Sequence, residues 1–137
     1  MREREIKQSY ERDGYVVVKD IIAASELDPM RNFIETRVDE YARQQHARGK
    51  ISSLYEDESF ERRYAAICQE QEIAPRGWDL GSCGREFYDL YKLPGILRIL
   101  ALILGPEVSN LGSPALRTKL PGSVITSFPW HQDSQYV

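Results

Sequence analysis

The spacing of hydrophobic residues changes along the chain, with helical spacing between Leu27 and Leu104 and short extended runs after Pro106. Between Leu27 and Gly49 an apolar residue recurs every three or four positions, which predicts an amphipathic helix with one buried stripe. The members of this stripe are Met30, Phe33, Ile34, Val38, Tyr41 and Ala42. Ser25 is the predicted N-cap, because a serine oxygen can accept hydrogen bonds from the first amides of a helix.

Three further helical segments are predicted. Phe60 to Cys68 repeats the helical spacing and ends before the next proline. Phe87 to Tyr91 forms a short helical turn, and Pro94 then starts a helix that Gly105 ends. Apolar residues surround most of this last helix, so we expect it to be buried. Its apolar run is interrupted by Arg98 and is shorter than the ~20 residues of a membrane span.

Extended segments are predicted on both sides of the helices. Tyr15 to Val18 is an aromatic and β-branched run, which favours a strand. Three more strand-like pieces, separated by glycine and proline, follow at Glu107 to Leu111, Ala115 to Leu120 and Val124 to Trp130. This order predicts an α+β fold in which helices at 20–104 buttress a sheet that starts at 106–137.

Composition favours one soluble globular domain. An apolar fraction of 42% and a charged fraction of 28% exclude a disordered, collagen-like or membrane-embedded chain. The net charge of -3 is spread without a run of like charges, so neither a nucleic-acid nor a membrane partner is expected. The first residues do not resemble a secretory signal, which favours a cytoplasmic protein. Cys68 and Cys83 are expected to be reduced thiols rather than a disulfide.

Candidate chemistry is concentrated in an H-x-D pair formed by His131 and Asp133. Residues i and i+2 of a strand point to the same side, whereas Trp130 would point to the other and pack against the helices. An imidazole and a carboxylate placed together supply two of the three ligands in the facial triad of non-haem iron(II) oxygenases. The pair by itself is also compatible with a solvated surface pair or a structural zinc site.

The residues around this pair resemble the phytanoyl-CoA dioxygenase family. Arg117 to Gly122, followed by Trp130 to Tyr136, is similar to the family's metal-binding strand and its predecessor. Tyr10 to Val18 resembles the family's opening strand, Ser25 to Leu27 the start of the next helix, and Leu104 to Val108 the helix-to-strand junction. The resemblance covers nearly all of this sequence but only about the N-terminal half of a family member.

This resemblance implies an Fe(II)- and 2-oxoglutarate-dependent dioxygenase built on a double-stranded β-helix, a cupin-like jelly roll that is incomplete here. It makes His131 and Asp133 the catalytic iron ligands and places Arg117 and Lys119 near 2-oxoglutarate or substrate. For these two cations the alternative is exposed charges at a strand edge. Since halogenating relatives carry a small residue in place of Asp133, the resemblance implies hydroxylation of a small-molecule substrate by dioxygen, with ascorbate as an accessory reductant.

Relatives carry a second histidine ligand and a 2-oxoglutarate-binding arginine downstream of the H-x-D pair. The expectation is therefore a truncated chain that is inactive alone. The other histidine, His46, falls near the end of the long helix, where interaction with the helix dipole is favoured over metal ligation. Two alternatives stay open: a second chain that completes the barrel and the iron site, or a non-catalytic module that docks onto a partner by strand addition.

Overall fold

A computed structural model describes residues 3–73, 78–79, 85–109, 115–120 and 129–132. Most of these residues lie in helices. The helices are α1 Glu3–Asp13, α2 Asp28–Ala47, α3 Phe60–Glu70, α4 Arg85–Tyr91 and α5 Pro94–Leu104, with a 3₁₀ turn at Ala24–Leu27 before α2. Strand β1, Trp78–Asp79, pairs antiparallel with β2, Ala115–Leu116.

The expected α+β fold with a jelly roll is wrong, because the described residues are predominantly helical and their strand content is confined to β1 and β2. Tyr15 to Val18, residues 107–109 and residues 129–130 form no strand, and Ala115 to Leu120 forms one only at its first two residues. The predicted strand positions at 110–111 and 124–128 lie outside the described residues. A strand requires a neighbouring strand for its backbone hydrogen bonds. In the described residues, the pairing of β1 with β2 spans two residue pairs.

Contacts divide the chain into two compact units, one of Met1–Phe33 with Leu80–Pro114 and one of Ile34–Asp79 with Ala115–Val137. In the first unit α1 packs on α5, and Ile6 of α1 is buried. The sequence pattern does not predict α1, because charged residues surround its few apolar positions. Gly14 ends α1 at a φ of +77°, with its amide 2.8 Å from the carbonyl oxygen of Tyr10.

Helix α5 has the predicted bounds but not the predicted burial. Pro94 occupies its first turn and Gly105, at a φ of +100°, ends it. No residue of α5 is fully buried in the described structure, and the side chains of Leu97 and Leu104 are 41% and 62% exposed. The hydrophobic pattern shows which side chains would be stabilised by burial. It does not show whether a neighbouring element of the fold covers them.

The core of the second unit lies between α2 and α3, whereas the sequence analysis expects these helices to pack against a sheet. Its buried members are Val38, Ala42, Ile51, Tyr64, Ile67 and Cys68. The rings of Tyr41 and Tyr64 meet edge to face with 5.8 Å between their centroids, an arrangement favoured by the aromatic quadrupole. The long helix and the second helix of the sequence prediction are therefore confirmed, and their contact is the organising feature of this unit.

The ends of α2 agree with the sequence to different degrees. Ser25 lies within the 3₁₀ turn before α2 instead of capping the helix. At the other end Gly49 has a φ of +65°, and its amide donates to the carbonyl of His46 at 2.9 Å. The amide of Lys50 donates to the carbonyl of Gln45, also at 2.9 Å. These two bonds form a Schellman motif, so the predicted end of the helix near Gly49 is confirmed.

Candidate functional site

The ring of His131 is held by the backbone of its own segment. Its Nδ1 lies 2.8 Å from the carbonyl oxygen of Pro129. Because a carbonyl oxygen can only accept, this contact keeps a hydrogen on Nδ1, and in the neutral ring the lone pair is then on Nε2. Metal-binding histidines commonly use this arrangement, in which one nitrogen donates to a carbonyl and the other binds the metal. Trp130, which the sequence analysis expects to pack against helices, is fully exposed instead.

Of the H-x-D pair, His131 belongs to the described residues. Asp133 lies outside them, so its role as a ligand stays a prediction. The expectation that His131 projects from a strand is wrong, because residues 129–132 form no strand. Across the described ranges, no three His, Cys, Asp or Glu side chains converge on a possible metal position. His46 is exposed in the last turn of α2, where the helical pattern puts it.

Arg117 and Lys119 lie in the segment that follows β2, along which exposed and partly buried side chains alternate. Both cations are exposed, while Leu116, Thr118 and Leu120 are partly buried and Leu120 packs against the core of the second unit. The two cations therefore share the outer side of this segment. Their position agrees with the alternative of exposed charges beside a strand edge, and their contact with 2-oxoglutarate or substrate stays a prediction.

The second unit contains a network of ion pairs that the sequence pattern reveals only in part. Asp39 lies 2.7 Å from Arg43 and 2.8 Å from Arg63, and Arg43 also lies 2.9 Å from Glu56. Hydrogen bonds from Arg63 and then Arg43 lower the pKa of Asp39. Arg63 also donates to the carbonyl of Leu54 at 3.1 Å, which ties the loop before α3 to both helices. The four-residue spacing of Asp39 and Arg43 is the part that sequence could reveal.

A cleft of about 240 Å³ opens beside this network in the second unit. It is lined by Glu35, Val38, Glu56, Glu58, Phe60 and Arg63. Glu56 pairs with Arg43, and Glu58 lies 3.7 Å from Arg62. Because neighbouring arginines balance two of the three carboxylates, the cleft has no strong charge with which to select a ligand. We assign no ligand to this cleft. It is the space left between α2 and the loop before α3, which the ion pairs hold in place.

Glu70, at the end of α3, holds the same loop from the other side. One carboxylate oxygen accepts from the amide of Ser52 at 2.8 Å, and the other accepts from the hydroxyl of Tyr55 at 2.6 Å. The Tyr55 hydrogen bond is the main cause of a lowered Glu70 pKa. Tyr55 has a φ of +54°, a left-handed conformation that costs a non-glycine residue roughly 1 kcal/mol. The contacts of Glu70 therefore stabilise a loop conformation that the backbone alone disfavours.

Acid should weaken the hydrogen bonds of Glu70 to Ser52 and Tyr55, because protonation removes the charge of the Glu70 carboxylate. Its stabilising contribution is fully present above the unfolded glutamate pKa of 4.5 and is lost as the pH falls through the lowered folded value. We expect the urea midpoint of a Glu70→Gln variant to fall less between about pH 5 and pH 3 than that of the wild type. Glu72→Gln, at an exposed site two residues away, is the matched control. Parallel pH profiles for wild type and Glu70→Gln would contradict this role.

Comparison with known proteins identifies no relative. No protein-family model, no curated protein and no solved structure matches this chain. Among the helices of the described residues, none combines the length and the apolar character needed to cross a membrane. Function is therefore inferred from the residues of the chain and their contacts, above all from the position of the His131 ring.

Proposed function

We propose that His131 and Asp133 are iron(II) ligands in a 2-oxoglutarate-dependent oxygenase of the phytanoyl-CoA dioxygenase family, which hydroxylates a small molecule. The observation that carries this proposal is the 2.8 Å contact between Nδ1 of His131 and the carbonyl oxygen of Pro129. It selects the tautomer in which Nε2 can bind a metal. The sequence from Trp130 to Tyr136, which resembles the family's metal-binding segment, supports iron over zinc.

The donor set fits iron(II) in kind but is one protein ligand short of a complete set. A neutral imidazole and a carboxylate are two of the three ligands of a facial triad. When bound with 2-oxoglutarate and dioxygen, the iron supplies oxidative decarboxylation coupled to hydroxylation of a C–H bond. In this proposal the chain orients Nε2 of His131 through Pro129, and Asp133 provides negative charge beside it. Two protein ligands hold a divalent ion weakly, so the 137-residue chain should bind iron(II) weakly and not turn over 2-oxoglutarate by itself.

Anaerobic titration of the 137-residue chain with iron(II), followed calorimetrically, tests the ligand assignment. His131→Ala and Asp133→Ala should each weaken binding by about tenfold or more, because each removes half of the proposed donor set. His46→Ala is the matched control, since it removes the other histidine of the chain from an exposed helical site. Equal losses in the His46 and His131 variants, or no loss in either proposed-ligand variant, would refute the assignment.

A further inference from the structure

Residues 15–19 of the first unit form a separate segment between two left-handed residues. Gly14 has a φ of +77° and Asp20 a φ of +56°, so the chain changes direction at both ends. Within the described residues, no backbone-to-backbone hydrogen bond involves residues 15–22. Among the described residues, the amides and carbonyls of this segment therefore have no backbone partner, and a strand added by another chain would supply one.

The side chains of this segment have the character of a strand that lacks a neighbour. Tyr15 and Val17 are 69% and 65% exposed and Lys19 is also exposed, while Val16 and Val18 are partly buried. This alternation is typical of an extended chain with one side against the protein, and aromatic and β-branched residues favour strands. Large apolar side chains at such exposure, beside backbone groups with no backbone partner in the described part of the chain, indicate an interaction edge.

The segment is fixed to the first unit just after Asp20. The backbone carbonyl of Ile21 packs directly against Gly95 in the first turn of α5, so closely that a Cβ at position 95 would overlap it. Val16 and Val18 face the protein on the preceding stretch. Because the segment is held in place before it meets a partner, pairing costs less conformational entropy than pairing of a free peptide.

We propose that residues 15–19 are a self-complementary docking edge, which pairs antiparallel with the same residues of a second copy of the chain. Val17 is the midpoint between Gly14 and Asp20. A two-fold axis at Val17 therefore places Gly14 of one copy opposite Asp20 of the other. Five residue pairs lie between these two left-handed positions. In this register Tyr15 lies opposite Lys19 of the second copy, and Val17 lies opposite Val17.

The pattern of charge favours this register over a parallel one. An in-register parallel pair would set Lys19 against Lys19, and like charges opposite each other destabilise a strand pair. The antiparallel register instead sets Lys19 against the ring of Tyr15, a cation–π pair, and packs valine on valine. A contact of five residue pairs is smaller than a standard stable interface, so the dimer should be weak, with a dissociation constant of roughly 100 μM.

Sedimentation velocity of the 137-residue chain in metal-free buffer, from roughly 10 to 1,000 μM, tests the pairing independently of any iron site. The sedimentation coefficient of the wild type should rise from the monomer to the dimer value. Val17→Pro removes the central amide donor and should abolish the rise. Its far-ultraviolet circular dichroism should stay that of the wild type, because the Val17 amide has no backbone partner among the described residues. A wild type that stays monomeric, or association that survives Val17→Pro, would overturn the proposal.

A charge exchange tests the register. Tyr15→Lys sets lysine against Lys19 of the second copy and should weaken association by about tenfold. Adding Lys19→Glu to this variant should restore it, since each new lysine then faces a glutamate. Tyr88→Lys, at an exposed tyrosine on α4, is the control and should leave association unchanged. Failure of the double variant to recover, or an equal effect of Tyr88→Lys, would overturn the antiparallel pairing.

Discussion

Replacing Ile67 with alanine should lower the free energy of unfolding of the second unit by about 3 kcal/mol. Ile67 of α3 is completely buried, in a core that contains only five other buried residues in the described part of the chain. The substitution removes apolar surface from this core and leaves a cavity. Helices α2 and α3 can close the cavity only partly, because their contact is also fixed by the ion pair between Asp39 and Arg63.

Urea unfolding followed by circular dichroism measures this loss. Ile73→Ala is the matched control, because it makes the same chemical change at a side chain that is 40% exposed, three residues after α3. We expect a loss of less than about 1 kcal/mol in the control. Equal losses at the two positions would mean that the core does not lie between α2 and α3.

Gly95→Ala should destabilise the first unit, although alanine is the better helix former. In an open helical position this substitution would gain about 1 kcal/mol of helix propensity. At Gly95 the new methyl group would overlap the backbone carbonyl of Ile21, and backbone moves less readily than a flexible side chain. We therefore expect a net loss of about 2 kcal/mol, as the segment that carries Ile21 is displaced from α5.

Thermal unfolding of Gly95→Ala decides the sign of the effect. Gly49→Ala is the control, because its Cβ meets no atom within 4 Å and its cost arises from the left-handed φ of +65°. We expect a loss of about 1 kcal/mol in that variant. A Gly95→Ala protein that is more stable than the wild type would show that Ile21 does not approach α5 closely.

Hydrophobic spacing predicts α2, α3, α4 and α5, because a helix is specified by residues that are close in sequence. The strand prediction at Tyr15 to Val18 is wrong, because a strand is not specified by neighbouring residues alone. Local composition gives this segment the propensity for a strand, but a strand also requires a distant neighbour, and propensity does not reveal one. The described structure keeps the alternation of exposure without the ladder.

Several contacts of the second unit could not be predicted because their partners are far apart in sequence. Arg63 reaches Asp39 across 24 residues, and Tyr55 reaches Glu70 across 15 residues. The candidate metal site is the opposite case. His131 is identified from its two-residue spacing to Asp133, and its contact with Pro129 is equally local. Sequence therefore predicts the proposed ligands, whereas the tautomer of His131 requires the structure.

The most direct test of the iron proposal is an NMR spectrum of the two histidine rings during anaerobic addition of iron(II). The chain has only His46 and His131, so each ring gives an assignable signal. Paramagnetic broadening should remove the His131 signals first, while those of His46 persist, and Asp133→Ala should suppress the broadening. If the His46 signals broaden first, or if neither ring responds, His131 and Asp133 do not form an iron site.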